Sequence, residues 1–302
     1  MIRNSNLKKI KCDFFLPEIF NKLNKKKTLD IIKYNKRIQK LVNININDYK
    51  DCHEQIEIII KPKKNLKKTI NEFINIKNEE EIKYFHIFFN DSNKEENRNY
   101  FDKNEKISNI KVIIDKQVKS FHGLFETCKC IKSIYFKKFY RDNIQNMSFM
   151  FYECSSLKEI NLSNFNTNNV TNMCSMFFEY SSLEDLELSN FNTSNVTDMS
   201  WMFCQCTSLL YLDLSNFNTS NVTDMKAMFC QCPNLDNLDL SNFNTSNVTD
   251  MSEMFECCES VDALALDNFN TVNVKDMSVM FYNCPSLLFR MVRKLNSNNS
   301  RD

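Results

Sequence analysis

The sequence predicts an α/β fold, a solenoid of about seven 26-residue strand-helix coils preceded by a mixed α+β N-terminal cap domain. Three observations lead there. The pair Met-Phe recurs at Met150, Met176, Met202, Met228, Met254 and Met280, 26 residues apart each time. The phrase SNFNTSNVTDM stands intact from Ser189, Ser215 and Ser241. Charge divides the 302-residue chain along the same line, with 32 basic and 19 acidic side chains in residues 1–144 against 3 and 18 in residues 145–285. Self-similarity at such a period marks stacked units, each too small to bury its apolar face alone.

Residues 1–106 lack the repeat and read as a basic domain of their own. Leu16, Ile19, Phe20 and Leu23 make one helical face, and Thr28 caps a second helix carrying Leu29, Ile32, Ile38, Leu41 and Val42. Ile56 to Ile60 reads as a strand, Leu66, Ile70, Phe73 and Ile74 as a helix face, Ile82 to Phe89 as another strand, and the polar run Asn90 to Lys106 as a loop. Residues 107–285 form the repeat region, with a lead-in strand at Ile107, Ile110 and Val112 and a degenerate first unit at Leu124-Phe125. Within a unit, Val196, Met199, Met202, Phe203 and Cys206 are spaced as one face of a short helix. Thr197 and Asp198 stand where a cap and a dipole-compensating carboxylate belong. Leu209, Leu212 and Leu214 then give L-x-x-L-x-L, whose end alternates as a half-buried strand does. One strand and one helix per unit make a leucine-rich-repeat coil.

Two Met per unit and the column Phe165, Phe191, Phe217, Phe243 and Phe269 fill the core. Gly123 is the one glycine, so Asn must make the tight turns, and its amide can also bond the coil alongside as a ladder. The columns Asn166 to Asn270 and Asn169 to Asn273 suit that role. Residues 286–302, where Arg290 takes a leucine's place, read as a C-terminal cap and tail.

The phrase from Ser189, followed by MFxxCxSL as at Met202 to Leu209, resembles the BspA-like leucine-rich repeats of bacterial surface proteins and large protist families, over residues 118–285. The resemblance implies a leucine-rich-repeat solenoid that binds proteins or surfaces without catalysis of its own. A second resemblance, at residues 15–42 (FLPEIFNKL and the helix after it), is to the start of an F-box, which implies a substrate adaptor of a ubiquitin ligase. Adhesion of the BspA type is a further alternative.

A chain with one glycine has no Gly-rich phosphate loop, dinucleotide fingerprint or GxSxG elbow. Its three His share no motif with a nucleophile, so no enzyme is expected. Cys128, Cys154, Cys206, Cys232, Cys258 and Cys284 share one repeat position, with Tyr180 in the third unit, and read as a reduced, buried column. Cys204 and Cys230 occupy a position that tolerates many residue types and are expected to be exposed. Their C-x-C spacing is short for zinc and no His is near in sequence, so no metal and no cofactor is expected. Apolar runs are too short to cross a membrane, no export signal is read, and no nucleic-acid module is recognised. The cytoplasm is the expected location.

The residues between the inward leucines point to the open face. They include Glu159, Asp185, Glu187, Tyr211, Asp213 and Asp239, an acidic stripe with one aromatic anchor. A protein-binding scaffold results, with a basic surface as its expected partner, either another protein or the chain's own basic N-terminal region.

Overall fold

The isoleucine run read as a strand is one. In the computed structural model β1 (Ile56–Pro62) buries Ile56, Ile58 and Ile60 completely, on one side of a sheet. The structure describes residues 32–33, 35–42, 54–182, 184–236, 238–261, 264 and 268–286. The chain divides into two compact units, Met1–Gln55 and Ile56–Asp302. In the first, helix α1 (Lys36–Leu41) starts at Asn35, whose side chain accepts the Ile38 N–H at 3.2 Å and so caps an orphan donor. Ile32 and Ile38 are buried. The face at Leu16 to Leu23 and the cap at Thr28 lie outside the described residues.

The second unit is built on sheet. After β1 come β2 (Ile70–Glu72), a 3-10 helix (Glu79–Tyr84), β3 (Phe85–Phe89), β4 (Glu95–Glu96), β5 (Tyr100–Asp102), β6 (Ile110–Ile114), β7 (Ile131–Lys138) and β8 (Glu159–Asn161). Six of them form a mixed sheet in the order β4-β3-β6-β1-β7-β8, and β2 pairs with β5 separately. All neighbours in the large sheet are antiparallel except β7 and β8. Alternation decides which side is core. Phe85, Ile87 and Phe89, Ile110, Val112 and Ile114, and Ile134 and Phe136 are buried with the β1 isoleucines. The helix expected from Leu66 to Ile74 is absent. There Ile70 is exposed on β2, while Phe73 gives its N–H to Asn99 and its ring to Phe89 and Phe101.

The expected α/β leucine-rich-repeat solenoid of strand-helix coils is overturned. No described residue from 119 to 284 is in an α-helix, and the architecture is mostly sheet, a six-stranded and a two-stranded one. The physical reason lies in where the N–H groups go. Met202, Cys204 and Cys206 bond back three residues, to Met199, Trp201 and Phe203, as turns do. The N–H groups between them, of Trp201, Phe203 and Gln205, donate instead to Lys226, Met228 and Cys230 of the next unit. An α-helix would satisfy every one of these N–H groups within itself, four residues back. Spacings of three along the chain therefore arose from successive turns.

These turns place two residues per unit in the left-handed region, four apart. Trp201 and Gln205 have φ of 59° and 60°, and Ala227 and Gln231 of 51° and 55°. Gly123 occupies the same position in the first unit, at 61°. A side chain there costs about 1–2 kcal/mol, which the inter-unit hydrogen bonds offset. The left-handed positions lie outside the Asn columns, yet the turns expected at Asn are made: Val196 bonds back to Thr193 around Asn195 at 2.9 Å, Asn192 Oδ1 accepts the Ser194 N–H at 3.0 Å, and the Asn ladder exists as well. Asn195, Asn221, Asn247 and Asn273 each donate their amide to a main-chain oxygen one unit back at 2.7 Å. Buried Thr193 does the same work forward, donating to the Asn218 carbonyl at 3.0 Å and accepting the Asn218 N–H at 2.8 Å.

Tyr180 breaks one such series. The thiols of Cys154, Cys206, Cys232, Cys258 and Cys284 each donate to a phenylalanine carbonyl of the preceding unit, at 2.8–3.2 Å. Tyr180 is buried in that column and its hydroxyl has no hydrogen-bond partner. An unsatisfied buried hydroxyl costs roughly 1–3 kcal/mol. Tyr180→Phe, which keeps the ring, is expected to raise the unfolding free energy by about 1 kcal/mol or more in urea melts; a loss of stability would show that the hydroxyl is satisfied in solution.

Candidate functional site

The side of the sheet away from the core carries the site. Along β1, β7 and β8 its residues fall into register, with Ile59 opposite Tyr135, Ser133 opposite Glu159 and Tyr135 opposite Asn161. Beyond β8 the ladder thins to a bridge between Asp185 and Tyr211 and to main-chain bonds from Leu210 to Glu184 and from Asp236 to Leu210. A shallow groove of about 530 Å³ lies on this face, lined among others by Ile59, Lys61, Tyr135, Lys158, Glu159 and Asp185.

Each predicted open-face residue has a definite place here. Glu159 sits on β8 and pairs with Lys132 at 3.0 Å, an exposed contact of little energetic weight. Asp185 enters the groove, and Tyr211 beside it is 54% exposed. Glu187, Asp213 and Asp239 stand farther along, each accepting the N–H of the serine two residues on at 2.9 Å. The Ser189 hydroxyl and N–H hold Glu187 below the usual carboxylate range, while the N–H and then the hydroxyl of Ser215 and of Ser241 do so for Asp213 and Asp239. The Asp213 charge opposes this at Glu187 and Asp239 without reversing it. At Glu187 and Asp239 the repulsion from Asp213 is thereby countered by turn geometry.

Four groove residues, Ile59, Lys61, Tyr135 and Lys158, escape the reading of the sequence. For Ile59, Lys61 and Tyr135 the signal was present in the alternation of Ile56–Pro62 and Ile131–Lys138; Lys158 directly precedes β8. What could not be read was that β1 pairs antiparallel with β7 across about seventy residues of chain.

Other chemistry weighs less. His122 Nδ1 lies 2.7 Å from Ser148 Oγ, but that hydroxyl donates to Asn146 Oδ1 at 2.7 Å, so the imidazole receives no proton from it. Ser200 and Ser252 make the same turn contact with Asp198 and Asp250. Burial pushes the thiols of Cys206 and Cys258 up to about 12, which leaves them protonated and unreactive. The exposure expected of Cys204 and Cys230 is overturned, for they are 0% and 1% exposed and pack with Ala227 against Phe178 and Trp201. Neighbouring units wall in a position that looks permissive along the chain. Of the F-box-like segment, helix α1 is described and residues 15–31 are not. Among the described residues no helix is long and apolar enough to cross a membrane.

No curated protein matches the chain, and no solved structure does. A family model described as "Mycoplasma protein of unknown function, DUF285" matches twice, over residues 119–211 and 198–301. The two matches run through the stacked units and take in more than half of the 302 residues. The chain therefore belongs to the DUF285 family of Mycoplasma proteins of unknown function.

Proposed function

We propose that this chain is a non-catalytic scaffold that binds a basic surface of a protein partner across its open sheet face, in a reducing compartment. The observation that carries the reading is the in-register set Glu187, Asp213 and Asp239, solvent-facing carboxylates whose serines hold them below the usual carboxylate range, next to an exposed Tyr211. Stacked like charges are unfavourable by themselves, and a cationic partner surface removes that repulsion while gaining charge-assisted hydrogen bonds. Tyr211 supplies the amphipathic aromatic on which binding energy concentrates.

The test starts with affinity capture of proteins by the intact chain, identified by mass spectrometry and re-measured with purified partner. Combining Glu187→Gln, Asp213→Asn and Asp239→Asn keeps each side chain's hydrogen-bonding oxygen and removes its charge. The expected result is binding that weakens with salt in the parent and is lost in the triple variant, with folding unchanged; Tyr211→Ala is expected to weaken it by roughly 2 kcal/mol. Undiminished, salt-insensitive binding of the triple variant overturns the reading.

A further inference from the structure

On another flank of the stack, one column changes character. One residue past each Met-Phe pair it reads Tyr152, Phe178, Cys204, Cys230, Glu256 and Tyr282. Three residues earlier the neighbouring column reads Phe149, Ser175, Trp201, Ala227, Glu253 and Val279. At the start these columns are aromatic, with Tyr152 stacked on Phe178 at 4.7 Å and Phe178 against Trp201 at 6.1 Å. From Cys204 through Cys230 to Glu253 and Glu256 thiols and carboxylates replace the rings.

The side chains converge. One donor atom each from Cys230, Glu253 and Glu256 lies within 4.8 Å of the other two. The Cys230 thiol, in a residue 99% buried, points at Glu256 and donates to Oε2 at 3.4 Å. A tetrahedral zinc ion with Zn–S near 2.3 Å and Zn–O near 2.0 Å holds its sulfur and oxygen ligands about 3.5 Å apart. Cys204 of the preceding unit is buried and packs in the same cluster as Cys230. Lys226, 3.2 Å from Glu253, sits at the edge. A thiolate, two carboxylates, a divalent ion and this lysine sum to zero charge, so the ion would not leave the pocket with a surplus.

We propose that Cys230, Glu253 and Glu256, with a solvent molecule completing the tetrahedron, form a binding site for a borderline-soft divalent transition metal of the zinc class. The mixed donors argue against the alternatives. Calcium and magnesium take oxygen ligands and have no use for a buried thiol, whereas copper(I) prefers sulfur throughout. The ion would tie two consecutive units together, in addition to their main-chain hydrogen bonds and the Lys226–Glu253 ion pair.

Trp201, the single tryptophan of the chain, reports on the site, since it packs against Cys204, Ala227 and Cys230. Cobalt(II) is titrated into the reduced intact chain. The expected result is one equivalent bound, with a thiolate-to-cobalt charge-transfer band, visible bands of tetrahedral cobalt and quenching of Trp201, all reversed by zinc. Cys230→Ser should abolish the charge-transfer band. Glu256→Gln, at a partly exposed position and checked for native circular dichroism, should weaken cobalt binding at least about tenfold, and Cys174→Ser, outside the cluster, should leave it unchanged. Absence of cobalt binding, or binding whose spectrum and affinity survive both Cys230→Ser and Glu256→Gln, overturns the proposal.

Discussion

Phe203→Ala is expected to lower the unfolding free energy by about 3–5 kcal/mol, the usual cost of emptying a buried aromatic site. Seven rings, from Phe125 through Phe203 to Phe281, stack one per unit with centroids 5.6–5.8 Å apart and planes within 10° of parallel. Phe203 is fully buried in the middle, sandwiched between Phe177 and Phe229. Its loss removes contacts on both sides, and the rigid main-chain bonds between units limit collapse into the gap. Each unit leans mainly on its two neighbours, so the damage should also split the urea transition, with units on either side of the gap unfolding at different concentrations. Phe281→Ala, at the last unit and only partly buried, is the control and should cost less. A loss below about 1 kcal/mol for Phe203→Ala would mean that the column does not act as a continuous core.

Stability should also fall on the alkaline side because of His86. On the solvent side of β3, its Nδ1 lies 2.8 Å from Glu95 and its Nε2 3.2 Å from Asp115. The hydrogen bond to Asp115, reinforced by Glu95 and opposed by burial, raises its pKa from 6.5 to about 9. A group whose pKa is raised on folding stabilises fully below its unfolded value and loses that contribution as pH climbs through the folded one. The window is therefore pH 6.5 to 9. The shift corresponds to roughly 1.4 kcal/mol per unit, and for a half-buried group screened by solvent about 1–2 kcal/mol in total remains. Urea midpoints measured from pH 6 to 9.5 should drop in the parent and stay flatter in His86→Gln. Parallel curves for the two would rule out the histidine as their source.

Much of the core was legible. Met147 to Met254, Phe165 to Phe243 and the inward leucines from Leu186 to Leu240 that are described are buried as the 26-residue period requires, because a repeated apolar position must stack on its own copy. Met277, in the last unit, is half exposed for the same reason, having no following unit among the described residues. The Asn ladder was legible too, since an identical amide at each level meets an identical carbonyl. The candidate site was legible only in its acidic half. Glu159, Asp185, Glu187, Tyr211, Asp213 and Asp239 follow from alternation within one unit, whereas Ile59, Lys61 and Tyr135 join them through strand pairing between distant segments.

By itself, then, the sequence determined the period, the residues that face inward and the charge of the open face, since all three depend on side-chain identity at fixed spacing. Only the tertiary structure decided between helix and turn, the burial of Cys204 and Cys230, and the meeting of Cys230 with Glu253 and Glu256. A spacing of three suits a helix and a run of turns equally well along the chain. The choice fell to the main-chain N–H groups, half of which find a carbonyl in the adjacent unit, and a bond between units has no counterpart in the local sequence that makes it.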